Sequence, residues 1–421
     1  MLISILITIL KIVFILGFLV LIHEGGHFLV AKLCKIKVNE FAIGFGPTIW
    51  RKQGKETKYA LRLIPIGGFV SMVGEEERSN EEGSFSKASI PKRIAVVAAG
   101  GLVNIVFALI VYFILMASMG NNVAPIIDYP MEDSKAQVAG IQAGDKIKEV
   151  NGKTIHYKKD LDEVLAKCNG EELAVVIDRN GEEKSYTFAP GEEKYNYTGI
   201  AISSENGAST KIAAISAKSP AKEQGLEVND VILKINEVDV KGNAQKLVEE
   251  INKTQGQEIK FTIERGNETK EVLITPEVKA DYYLGVYLQK AENNLGNNLY
   301  YAWWETGDFA FSIVDNLKLL FTGNVSIDQM MGPVGIGEVV AQTNGFADFI
   351  YILALVSISL GFTNLLPFPP LDGGKIVILL IEAIRRKPLK EKTEMTIQSL
   401  GFMLLIGLSI YVTYNDILRI F

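Results

Sequence analysis

The sequence has few of the residues that usually staple or activate a protein: two cysteines, Cys34 and Cys168, and three histidines among 421 residues. It has no excess of positive charge, and a net charge of −6 gives no reason to expect a nucleic-acid partner. It also lacks a Gly-x-Ser-x-Gly motif, which removes one signature of a serine nucleophile. What it has is apolar length. Hydrophobic residues make up 48% of the chain, while the 22% that are charged must sit somewhere wet. A membrane protein with a sizeable soluble part follows from that balance.

Four apolar runs stand out, at 2–32, 94–119, 349–384 and 397–412, against the roughly 20 residues that a spanning helix needs. The first has no small-residue cleavage site behind it and reads as a retained span. The segment Lys32–Arg93 carries twelve Lys and Arg, and Arg385–Lys392 carries five. Short basic loops favour the cytoplasm, so residues 121–348 and both termini are expected on the other side. That topology puts Cys34 and Cys168 on opposite sides and argues against a disulfide between them. Lys11, inside the first run, reads as a snorkelling side chain.

Between residues 121 and 290 the chain reads as short strands punctuated by Gly, Asn and Asp, and it repeats itself. Ala136, Gly140, Ile141, Asp145, Ile147 and Asn151 recur at an offset of 85 as Ala221, Gly225, Leu226, Asp230, Ile232 and Asn236. The close recurs too: Tyr197, Gly199 and Ile200 match Tyr283, Gly285 and Val286. The pattern resembles the PDZ domain of bacterial proteases, in two copies expected at 123–204 and 209–290. That resemblance implies that Gly199-Ile200 and Gly285-Val286 form loops receiving a peptide C-terminus, with the ligand added as a strand. Plain turn glycines remain the alternative.

His23-Glu24-Gly25-Gly26-His27 places two imidazoles at i and i+4, on one helix face, with a carboxylate beside them. Each ionisable group in a membrane helix costs about 2–3 kcal/mol, so three together need a compensating role. Catalytic zinc takes three protein ligands and leaves one position for water. Cys34 lies seven residues after His27, roughly 10 Å along a helix, too far to share a metal. His156, in the first repeat, reads as ordinary surface. The remaining apolar runs offer Asp372, after Asn364, Pro367, Pro369 and Pro370 break a stretch too long for one plain span. Unwound backbone at that depth must line a cavity or be buried in protein. A turn just outside the membrane would be the alternative for Leu371-Asp372-Gly373.

Taken together, these motifs resemble the site-2 protease family, and within it the bacterial regulator-of-sigma-E type with two PDZ domains. The resemblance extends to Gly44-Phe45-Gly46-Pro47, to Pro65-Ile66-Gly67-Gly68-Phe69, to residues 323–328 and to Gly332-Pro333-Val334-Gly335-Ile336. It implies four transmembrane helices (1–32, 94–119, 349–384 and 397–417), a membrane-reentrant β-hairpin at 36–75 and an amphipathic linker at 298–345. It assigns His23, His27 and Asp372 to zinc and Glu24 to the catalytic base. Asn364, Pro367, Pro369 and the edge near Gly44, Phe45 and Gly46 are assigned to the unwound substrate. Implied substrates are single-span membrane proteins such as anti-sigma factors, already trimmed outside a bacterial inner membrane. One departure is Gly100-Gly101-Leu102-Val103-Asn104, where many members have a proline after the first glycine. The competing classes are a membrane-anchored PDZ scaffold with structural zinc, which needs a fourth ligand, and a metal transporter, which needs polar residues along more spans.

Overall fold

The computed structural model describes residues 2–75, 77–120, 122–202, 209–216, 218–266, 268–322, 332–341, 343 and 345–420. The chain divides into two compact units, one formed by Met1–Asn122 with Glu292–Phe421, the other by Val123–Ala291. The 323–328 stretch lies outside the described residues.

The first unit opens with α1 (Leu2–Leu33), whose apolar residues run all round the helix as a membrane span requires. It is followed by β1 (Val38–Gln53) and β2 (Lys58–Met72), the expected hairpin. The hairpin curls on itself. Val38–Phe45 pairs with 64–72 on one side and with 58–61 on the other, while 48–53 pairs with 58–62. Residues 64–72 are therefore an outer strand, with no further strand beside them among the described residues. Helix α2 (Ile90–Met119) follows and stops at Gly120 in a left-handed cap.

In the second unit the two repeats unfold element for element. The first holds β3 (Val123–Pro130), α3 (Lys135–Ala139), β4 (Lys146–Val150), β5 (Lys153–Thr154), α4 (Lys158–Lys167), β6 (Leu173–Arg179), β7 (Glu182–Phe188), β8 (Gly191–Tyr197) and β9 (Ile200–Ile202). The second holds β10 (Ile212–Ile215), α5 (Pro220–Glu223), β11 (Val231–Ile235), β12 (Val238–Asp239), α6 (Ala244–Asn252), β13 (Ile259–Arg265), β14 (Glu268–Ile274), β15 (Glu277–Tyr283) and β16 (Val286–Lys290). The cores do not divide at residues 204–209. β16 pairs with β3, and Leu284, Val286 and Leu288 pack into the first core. β9 pairs with β10, and Ile200 and Ile202 pack into the second. The repeats thus exchange their closing strands, and the β8–β15 ribbon carries the two crossings.

Each repeat is pinned by the aspartate of its motif. Asp145 accepts from Arg179 Nε at 2.6 Å and Nη2 at 2.7 Å, and from the Gln142 N–H at 2.8 Å. Asp230 repeats this with Arg265 Nε and Nη2, both at 2.8 Å, and the Glu227 N–H at 2.9 Å. Burial pushes the Asp145 carboxyl up, but the Arg179 and Gln142 hydrogen bonds outweigh it and hold it below the usual carboxylate range. Its stabilisation is therefore complete above the unfolded value near pH 4 and is lost as pH falls through the lower folded value. Arg179→Ala leaves a buried carboxylate unpaired and is expected to cost about 3–5 kcal/mol at neutral pH, with the deficit shrinking in acid. Thermal unfolding of both forms between neutral and acid pH checks this.

The first unit resumes with α7 (Leu295–Phe321) and α8 (Pro333–Ala341), two helices over the region expected as an amphipathic linker. Then α9 (Phe346–Asn364) and α10 (Asp372–Arg385) flank the proline break, and α11 (Glu391–Ile420) closes the chain. Among the described residues, four helices are long and apolar enough to cross a membrane: α1 over Leu6–Leu33, α2, α9 and α11 over Glu391–Leu418. The chain is a membrane protein. Lys11 does not snorkel free; its ammonium donates to Thr343 Oγ1 at 2.8 Å, which offsets the cost of a cation among apolar residues.

Candidate metal centre and active site

The break between α9 and α10 delivers Asp372 as the first residue of α10, where it faces α1. Asp372 Oδ2 stands 3.2 Å from His23 Nε2 and 3.4 Å from His27 Nε2, and the two Nε2 atoms are 3.2 Å apart. Both histidines are buried. His27 Nδ1 lies 2.8 Å from the Val96 carbonyl, which can only accept, so Nδ1 carries a proton, and in the neutral ring Nε2 is then the lone pair a metal needs.

The trio fits a cation. Two ligands about 2.0–2.1 Å from a tetrahedral zinc lie about 3.3 Å apart, close to the separations between these three atoms. Two imidazole lone pairs and a carboxylate oxygen turned on one another repel unless a positive charge lies between them. Among the described residues this cluster holds three ligands and no fourth.

Glycines make the convergence possible. A Cβ at Gly100 would lie 2.7 Å from His23 Cε1 and Nε2 and would also strike His27. One at Gly26 would lie 2.6 Å from the Ala99 carbonyl, so this residue lets α1 and α2 touch. Gly25, by contrast, faces open space. Added Cβ atoms at Gly373 and Gly374 would collide with the 365–369 backbone, which explains why two glycines follow Asp372.

Beside the trio is a cavity of about 270 Å³. Glu24, His27 and Asp372 line one side, Phe69, Val70 and Met72 of the outer strand another. Glu24 packs against that strand, since a Cβ at Gly68 would lie 3.5 Å from its Cγ. The polar end holds Gln398 and the Glu75–Lys375 ion pair at 2.8 Å.

Pro369 lines this cavity, whereas Asn364 and Pro367 do not. Gly44, Phe45 and Gly46 do not line it either: the strand edge beside Glu24 belongs to 64–72, and Glu40–Ile43 has partners on both sides. Gly199 and Gly285 both have positive φ, +82° and +80°, and lead into Ile200 of β9 and Val286 of β16. Sequence reasoning gave no role at the site to Gly100, Glu75, Lys375 or Gln398. The Gly100-Gly101 pair was the one visible signal, since adjacent glycines in a spanning helix mark a close approach.

Residues 11–408 match the model of peptidase family M50. The chain is 30% identical to the regulator of sigma E protease of Haemophilus influenzae, over 96% of each chain. It is 32% identical to the zinc metalloprotease RasP of Shouchella clausii, over 98% of this chain and 99% of that one. Among solved structures, a PDZ domain of HtrA3 bound to a phage-derived ligand overlaps 22% of this chain and 93% of its own at 19% identity, but with a TM-score of 0.19 it carries no argument.

Proposed function

The chain belongs to peptidase family M50 and is a zinc metalloendopeptidase, and from that premise we propose that it cleaves single-span membrane proteins within the membrane. In this reading His23, His27 and Asp372 hold the zinc and Glu24 is the catalytic base. The observation that carries it is the convergence of three acceptor atoms beside Glu24, at a cavity walled by an outer strand, on a helix apolar enough to cross a membrane.

A zinc ion held by His23, His27 and Asp372 would supply Lewis acidity, lowering the pKa of water to about 7 and polarising the scissile carbonyl. The chain's own residues do the rest. The Glu24 carboxylate takes a proton from the attacking water and returns it to the leaving nitrogen. A helical substrate hides its amides in its own hydrogen bonds and must unwind first. The outer strand at 64–72 offers backbone partners to the unwound segment and lays it along Glu24. Pro369, Phe69 and Val70 shape the channel around it. The hairpin would then lie at membrane depth, as the reentrant reading requires.

The basic loops support an orientation with residues 123–291 outside the cytoplasm of a bacterial cell and the metal centre towards its inner side. Trimmed anti-sigma-factor-like proteins are the proposed substrates. The Gly199-Ile200 and Gly285-Val286 loops would receive peptide C-termini, and the bulk of the second unit would turn away large outer domains. A scaffold with structural zinc is disfavoured because the described cluster holds three ligands where a closed site needs four.

The test is a single-span reporter, full-length and trimmed, offered to the wild type and to a form lacking Val123–Ala291. The deletion joins ends already held together in the first unit, where Asn293 Nδ2 donates to the Ala117 carbonyl at 3.0 Å. Wild type is expected to cut the trimmed reporter, and the deleted form to cut both. If the deleted form retains zinc yet still prefers the trimmed reporter as strongly, the gating role falls; if the wild type cuts neither, the proposed substrate class falls.

A further inference from the structure

Two buried polar side chains, one on α1 and one on α2, are left over. His23 turns Nε2 to Asp372, yet its Nδ1 has no hydrogen-bond partner among the described residues. A ligating Nε2 must be bare, so Nδ1 carries the proton and needs an acceptor. Asn104 of α2 is fully buried, and neither its Nδ2 nor its Oδ1 has a partner. A buried polar group left alone costs about 1–3 kcal/mol, and inside a membrane no bulk water relieves it.

The two orphans belong to one place. The His23 ring rests on Gly100, and Asn104 follows Gly100 by one helical turn on the same face of α2. Helix side chains lean towards their N-terminus, so the Asn104 carboxamide is directed back towards the Gly100-Gly101 turn, the turn on which the His23 ring packs. Its backbone is held there, because its carbonyl accepts from Ser357 Oγ of α9 at 2.8 Å and Gly361 leaves room for its Cβ. The partner ligand sets the precedent: His27 Nδ1 donates to the Val96 carbonyl of the same helix at 2.8 Å.

We propose that Asn104 is the positioning residue for His23, its Oδ1 accepting the Nδ1 proton directly or across one water when the metal is bound. α2 then orients both histidines, one through a backbone carbonyl and one through a side chain. This inference rests on the reading of His23, His27 and Asp372 as the zinc ligands.

The test measures zinc affinity of the full-length purified protein by competition with a chromophoric chelator, using zinc alone as the probe. Asn104→Leu keeps the volume and removes the acceptor; it is expected to bind zinc about 10–100-fold more weakly, with metal-free thermal unfolding unchanged. Asn104→Asp restores an acceptor and is expected to bind at least as tightly as wild type. Wild-type affinity in Asn104→Leu would overturn the proposal, and so would an Asn104→Asp loss as large as that of Asn104→Leu, which would reduce Asn104 to packing. Failure of the wild type itself to bind zinc would overturn the metal-centre reading, and this inference with it.

Discussion

Glu24→Gln is expected to lower the cleavage rate about 10²–10⁴-fold while leaving bound zinc unchanged. The substitution keeps the side-chain length and the packing against Gly68, where the Glu24 Cγ lies 3.5 Å from the position of an added Cβ. What it removes is the proton acceptor. The three converging ligand atoms belong to His23, His27 and Asp372, so the metal should stay. Measuring zinc by atomic emission together with the initial rate on the trimmed reporter separates the two roles. Loss of zinc in step with activity would make Glu24 a ligand or a structural support and leave the base unidentified.

Asp372→Ala is expected to abolish cleavage and to weaken zinc binding by more than the roughly 10–100-fold that losing a mere supporting hydrogen bond causes. Removing the carboxylate leaves two neutral imidazoles and takes away the one formal negative charge in the trio, so a divalent ion loses its strongest local attraction. It also removes the acceptor that stands 3.2 Å and 3.4 Å from the two Nε2 atoms. The fold should tolerate the change, because Gly373 and Gly374, which seat α10 against the 365–369 segment, are untouched. Tight, stoichiometric zinc in the variant would take Asp372 out of the site. Activity lost with zinc retained would move it from ligand to substrate contact.

The second unit shows where sequence similarity reaches its limit. Residues 197–202 and 283–288 match one another, so each closing strand suits either sheet, and a comparison of the repeats cannot choose between them. Packing makes the choice: Leu284, Val286 and Leu288 enter the first core while Ile200 and Ile202 enter the second. One consequence is an exchange of loops. Gly285 serves the sheet of the first repeat and Gly199 that of the second, so a substitution at either is expected to act on the opposite repeat from the one its sequence position suggests.

The sequence by itself determined whatever depends on a period within one element. The i, i+4 spacing of His23 and His27, the lengths of the apolar runs, the proline break before Asp372 and the repeat at an offset of 85 are all of this kind. They follow from local geometry, in which 3.6 residues per turn or about 20 residues per bilayer decides the outcome. Tertiary structure alone decided which distant surfaces meet. That the edge beside Glu24 is 64–72 rather than Gly44–Gly46 depends on how the hairpin curls. That Gly100 seats two histidine rings, and that Asn104 and His23 Nδ1 are orphaned together, depends on α1 and α2 packing within glycine distance. Such contacts join residues some 44 to 81 positions apart, and no spacing along the chain encodes a distance through space.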